Sequence, residues 1–165
     1  MRKGYGNMLK LYWIEIFLRG IPEILLMIWG IYVIAKTSIN MKNYIFSSII
    51  MVIVTFLVRM LPIYMGVHTF IIIFFTIGIM VIAGIPIIKA IYSVLLMFLI
   101  LSLSEFLNMV ILNLLNIDIN IEVVNPITKS MLGIPSLTIA CLLIITIRYF
   151  IASKEEINIF EDKNY

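Results

Sequence analysis

Long apolar runs fill this chain, and polar residues punctuate them at wide, uneven intervals. A helix needs roughly 20 apolar residues to cross a bilayer. On that measure the pattern predicts five spans: about Leu11 to Ala35, Tyr44 to Leu61, Thr69 to Ile85, Ala90 to Leu112 and Ile134 to Ile151. Between the first two lies a short polar loop from Lys36 to Asn43. Pro62 to His68 reads as an interfacial turn, where Tyr64 sits well. Gly84, Pro86 and Lys89 mark a tight turn before the fourth span. Ile117-Asp118-Ile119-Asn120-Ile121-Glu122-Val123 alternates apolar and polar, which predicts a short extended segment or interfacial loop. Ile127 to Leu132 reads as a short amphipathic turn, and the fifth span is entered through Gly133 and Pro135. Residues 1–153 thus form one transmembrane helical domain, and 154–165 a short polar tail that either extends the last helix or frays. The predicted fold class is an all-α integral membrane protein, a bundle of about five transmembrane helices.

The first span carries Glu15, Arg19 and Glu23 in its outer part, with Gly20 and Pro22 between the last two. Proline removes a backbone donor and clashes with the previous turn. The expectation is one long helix, tilted or kinked there.

Composition agrees with the pattern. Of the 165 residues, 63% are apolar and only 13% charged. A soluble domain is nearer a quarter charged. The mean hydropathy is +1.15. Isoleucine, asparagine and lysine are abundant, a bias that suits an AT-rich bacterial genome and hence a bacterial cell membrane. The formal net charge of +3 is small and dispersed, which gives nucleic-acid binding no support. The single cysteine, Cys141, excludes an internal disulfide and a multi-cysteine metal site. The basic N-terminus resembles the start of a signal peptide. No small-residue cleavage site follows it, so it is read as a retained span.

Five spans put the chain ends on opposite sides. With the C-terminus cytoplasmic, the loops bearing Lys36, Lys42 and Lys89 lie inside together with Lys154 and Lys163, and Arg148 reaches the same face. That satisfies the positive-inside rule. Arg2, Lys3 and Lys10 then lie outside, against it.

Ionisable groups at membrane depth are costly, roughly 2.5–3.5 kcal/mol on insertion scales, and usually face the bundle interior. That singles out Glu15, Arg19, Glu23, Arg59 and Glu105. Glu15, Arg19 and Glu23 stand at i, i+4 and i+8, so a regular helix places them on one face with Arg19 able to pair with either carboxylate. They form either a binding or proton-relay stripe or a self-neutralised one at the interface. Arg59, one turn before Pro62, either snorkels to headgroups or meets a carboxylate, protein or ligand, with its fork. Glu105 lies among Ser102, Ser104 and Asn108, residues that bond across helices. It is interhelical glue, the contact for a cationic ligand, or a protonation switch. His68, the only histidine, either senses pH, helps bind a ligand, or is an ordinary interfacial residue. Cys141, mid-span, is most simply a small apolar residue. No nucleotide loop, zinc motif or nucleophile elbow is present. The expectation is no enzyme, no cofactor and no metal.

Several stretches resemble a known family. They are Phe17-Leu18-Arg19-Gly20-Ile21-Pro22-Glu23, Phe56-Leu57-Val58-Arg59-Met60-Leu61-Pro62-Ile63, Gly66-Val67-His68-Thr69, Glu105-Phe106-Leu107-Asn108, Asn125-Pro126-Ile127 and Gly133-Ile134-Pro135-Ser136. In this order they resemble the membrane-sensor half of Gram-positive histidine kinases with a GHKL-type ATPase domain, distantly like the accessory-gene-regulator sensor. The resemblance covers about Leu11 to Lys154. In such kinases a phospho-accepting histidine and an ATP-binding domain follow the last span. No histidine follows His68 here, so the expectation is a sensor-like module that does not autophosphorylate.

What the resemblance implies is signal reception, passed to a histidine kinase or other signalling protein; the candidate contacts are Arg19, Glu23, Arg59, His68 and Glu105, because charged and polar groups held in a bundle are the natural place for a bistable arrangement. The resemblance also implies homodimerisation, which no strong small-xxx-small stripe independently demands. Two other readings stay open. A solute-binding subunit of a transporter suits spans kinked at Pro22 and Pro135. A structural scaffold would use every polar residue as glue.

Overall fold

The computed structural model describes residues 19–61, 65–115 and 126–162. Among them the chain is all helix and turn, with no strand. The helices are α1 (Ile21–Ile34), α2 (Met41–Met60), α3 (Met65–Ile82), α4 (Ile87–Leu114) and α5 (Pro126–Asp162). Three stretches are long and apolar enough to cross a membrane: Met41–Val58, Ile87–Leu114 and Leu132–Ser153. Ile21–Ile34 and Gly66–Ile82 are shorter apolar helices.

α1 packs against α2, α4 and α5, and α4 against α3 and α5. α1 and α4 therefore share the centre. The buried side chains of α1 include Ile24, Met27, Ile28, Ile31 and Tyr32, which meet Met97 of α4 and Ile144 of α5 in one core. Gly30 sits where these three helices press together. A Cβ there would run into the Met97 sulfur and stand 3.0 Å from Ile144 Cδ1.

The bundle buries several hydroxyls and an amide within its apolar core and turns many large apolar side chains outward. α4 buries Ala90, Ser93, Val94, Met97, Ile100, Ser104, Asn108 and Leu112, a stripe at helical spacing. Its outer face shows Ile88, Leu99 and Phe106. Phe74 and Ile82 of α3 are 82% and 79% exposed, while Thr76 of the same helix is fully buried. Water disfavours this arrangement, and a hydrocarbon surround accommodates it. Most buried hydroxyls bond a carbonyl of their own helix: Ser48 donates to Tyr44 O at 2.7 Å, Thr76 to Ile72 O at 2.7 Å and Ser93 to Lys89 O at 2.6 Å. Few side-chain bonds cross between helices. Tyr44 donates to Leu25 O at 3.0 Å, Asn43 to Ala83 O at 3.0 Å and Asn108 to Leu132 O at 2.9 Å.

Two helices end in the same motif with different residues. α3 closes when Gly84 N–H donates to Val81 O and Ile85 N–H to Met80 O, with Gly84 at a φ of 99°. α1 closes when Lys36 N–H donates to Val33 O and Thr37 N–H to Tyr32 O, with Lys36 at a φ of 51°. Glycine is the ordinary occupant of that left-handed position. A lysine there costs about 1–2 kcal/mol of backbone strain.

The helix bounds differ from the expected spans at identifiable points. Pro22 sits in the first turn of α1, where its missing donor breaks no bond, and Arg19 and Gly20 before it are π-helical. Residues 11–18 of the expected span lie outside the described residues. α5 begins at Pro126, so 127–132 are helix rather than a separate turn, and Pro135 lies in the helix interior. Nearby, Ser136 donates to Gly133 O at 2.7 Å. The polar tail through Asp162 continues α5. The alternating segment at 117–123 lies outside the described residues.

Candidate functional site

Arg19, just ahead of α1, reaches two other helices. Its guanidinium Nη2 donates to Glu105 Oε1 of α4, and its Nε lies 3.9 Å from Glu23 Oε2, one turn along α1. The same side chain lies flat on α5 at Gly133. A Cβ on Gly133 would stand 2.9 Å from Arg19 Nη1, 3.0 Å from Cζ and 3.1 Å from Cδ. A Cβ at position 133 would make the arginine shift from this seat.

Beside the ion pair is a cavity of about 570 Å³. Its apolar walls include Ile24, Met27, Ile72 and Phe98, and its polar lining comprises Glu23, Thr55, Thr69, Ser102 and Glu105. The volume is in the range of small-molecule sites. Four helices contribute: α1, α2 near its end, α3 near its start and α4. Arg19 is absent from the lining among the described residues, so the cavity presents carboxylates and hydroxyls.

The ion pair is partly open. The side chains of Arg19 and Glu23 are 25% and 28% exposed, and that of Glu105 is 54% exposed. Glu105 was expected to face the bundle interior; it stands instead at the rim of the cavity. A pair so open contributes little stability in water. Its significance is positional, because it joins α1, α4 and α5 at one point.

Of the five residues singled out in the sequence, Arg19, Glu23 and Glu105 come together. His68 stands half-buried in the first turn of α3, next to Thr69, but is not in the cavity lining among the described residues. Arg59 is in the last turn of α2, and its side chain, like Glu15 entirely, lies outside the described residues. Cys141 is a half-buried free thiol on α5. Among the described residues, no group of three or more His, Cys, Asp or Glu side chains is arranged to hold a metal ion.

Sequence reasoning missed Thr55 and the role of Gly133. Thr55 is the lone hydroxyl in the apolar run from Met51 to Val58, a faint signal of an inward-facing position. Gly133 reads from sequence as a helix start, and only its distance from Arg19 shows the other use.

Comparison of this chain with protein-family models, with curated proteins and with solved structures yields no match.

Proposed function

We propose that this chain is a multi-pass protein of a bacterial cell membrane. It works as a sensor or regulatory module that passes a signal to a partner protein and catalyses nothing itself. The membrane setting is supported by the apolar outer surface, the buried hydroxyls and three helices long enough to span. The orientation that best obeys the positive-inside rule puts Lys36, Lys42, Lys89 and the end of α5 in the cytoplasm. The cavity then opens toward the outer face.

The observation that carries the sensing role is the Arg19 bridge from Glu105 to Gly133, set against a cavity with a carboxylate rim. A small amphipathic ligand bearing a cationic group competes with Arg19 for Glu105. Arg19 then leaves its seat on Gly133, and the contact between α1 and α5 changes. α5 runs from that seat past Ser153, the end of its apolar stretch, to Asp162. A shift at its outer end is thereby carried to its cytoplasmic end. Packed helices have discrete arrangements, so such a contact makes a two-state element.

The test is a mild-detergent pull-down of the tagged full chain from its own cell's membranes, with partners identified by mass spectrometry. A histidine kinase or cytosolic signalling protein that is captured by wild type and altered in its phosphorylation by Glu105→Gln supports the reading. A transport ATPase in its place overturns it in favour of a solute-binding transporter subunit.

A further inference from the structure

A second cavity, of about 330 Å³, lies at the opposite end of α1. Lys36 and Arg148 line it, together with Tyr32, Thr37 and Trp29. No carboxylate lines it among the described residues. Tyr32 is only 3% exposed, and its hydroxyl has no hydrogen-bond partner among the described residues. The Thr37 hydroxyl is likewise buried without one. Buried hydroxyls are almost always bonded, so two in one cavity wall with no partner among the described residues point to an acceptor from outside them.

We propose that this cavity binds the phosphate of a net-anionic ligand, with Lys36 and Arg148 supplying charge and Tyr32 and Thr37 donating hydrogen bonds. Every polar side chain lining it can donate, and an arginine fork fits phosphate oxygens. Its place suits a lipid headgroup. Lys36 and Arg148 lie where α1 and α5 approach the cytoplasmic face, which carries anionic lipid, and basic pockets between helices on that side bind such headgroups. Trp29, Val33 and Ile39 give an apolar wall along which an acyl chain can run. A simpler role for the two cations is to offset the negative end of the α1 dipole. That role accounts for the charges and leaves both hydroxyls unexplained.

The site goes beyond the sensor reading and rests on the membrane setting and orientation proposed above. The two cavities sit at opposite ends of α1, so each fails or stands separately.

The experiment uses the full chain in mild detergent. In the first arm, native mass spectrometry counts phosphatidylglycerol against phosphatidylcholine retained from an equal mixture. In the second, glycerol 3-phosphate is titrated without added lipid while Trp29 fluorescence is followed in a Trp13→Phe background. Wild type retains phosphatidylglycerol preferentially, and each removed charge, Lys36→Gly or Arg148→Gln, weakens that preference about fivefold. Lys36→Gly places glycine where the motif favours it, so its loss of binding is not a loss of fold. Tyr32→Phe keeps the ring and weakens binding further. A saturable Trp29 response to glycerol 3-phosphate, abolished by Lys36→Gly with Arg148→Gln, identifies a soluble phosphate ester as the occupant of the same site. Equal retention of the two lipids with no fluorescence response overturns the proposal. So does a preference unchanged in the double variant, which would leave the cations as neutralisers of the helix end.

Discussion

Arg19 and Glu105, 86 positions apart in the chain, meet in an ion pair that fastens the start of α1 to the middle of α4. The contact is direct, and the arginine that makes it simultaneously lies on the backbone of α5. In the sensing mechanism proposed above it is the contact that ligand and protein share. Glu105→Gln keeps the shape and removes the charge. The expected result is a protein that inserts and folds as wild type does while its response falls at least fivefold. Exchanging the charges, with Arg19→Glu and Glu105→Arg together, restores part of the coupling if the pair acts as a unit. A reporter of partner phosphorylation, read beside protein abundance, measures both.

Gly133→Ala separates fold from function more sharply. Alanine is a better helix residue than glycine by about 1 kcal/mol. The atoms its Cβ would displace are on the side chain of Arg19. The variant is therefore expected to be at least as stable as wild type in thermal unfolding, with the Arg19–Glu105 contact weakened and the response reduced. A normal response in a stable Gly133→Ala protein removes the α5 seat from the mechanism.

Gly30→Leu probes the core instead. The Met97 sulfur and the Ile144 side chain leave no room for a Cβ. Overpacking of this kind costs typically about 1–3 kcal/mol. Lower abundance and a lower unfolding temperature in detergent are expected, with loss of response only in proportion to loss of folded protein.

Gly84→Ala is expected to lose about 1–2 kcal/mol, because alanine must then adopt the left-handed conformation. Thermal unfolding of Gly84→Ala beside Lys36→Gly in the same detergent checks the pair. The first should melt lower, and the second at or above wild type.

Much of the architecture is legible in the sequence, for a physical reason. Apolar runs bounded by Lys36, Pro62, Gly84 and Pro126 delimit helices because, in the proposed bilayer, few other structures satisfy a backbone. Starts and stops are less legible. Pro135 reads as a boundary, yet the helix passes through it, with neighbouring packing from α4 holding the chain in place; Asn108 bonds Leu132 O one turn before it. Arg19 and Glu23 can be paired from their spacing alone. Their meeting with Glu105 is less accessible, because it depends on which faces of α1 and α4 pack together. The second cavity was half legible. The charge pattern puts Lys36 and Arg148 on the same face of the proposed bilayer, but the orphaned hydroxyls of Tyr32 and Thr37 are features of packing.

The hydroxyls of Ser48, Thr76 and Ser93 each find an acceptor on their own helix. In the proposed bilayer this bears on biogenesis. Ser47 and Thr55 of α2 have no such bond among the described residues, whereas a hydroxyl bonded within its own helix needs no sister segment waiting to receive it. Insertion and assembly then become separable events. The second is directed by a short set of bonds between helices, chief among them Tyr44 to Leu25, Asn43 to Ala83, Asn108 to Leu132 and Arg19 to Glu105. Loss of one of these should leave the helices in the lipid and disturb only how they meet.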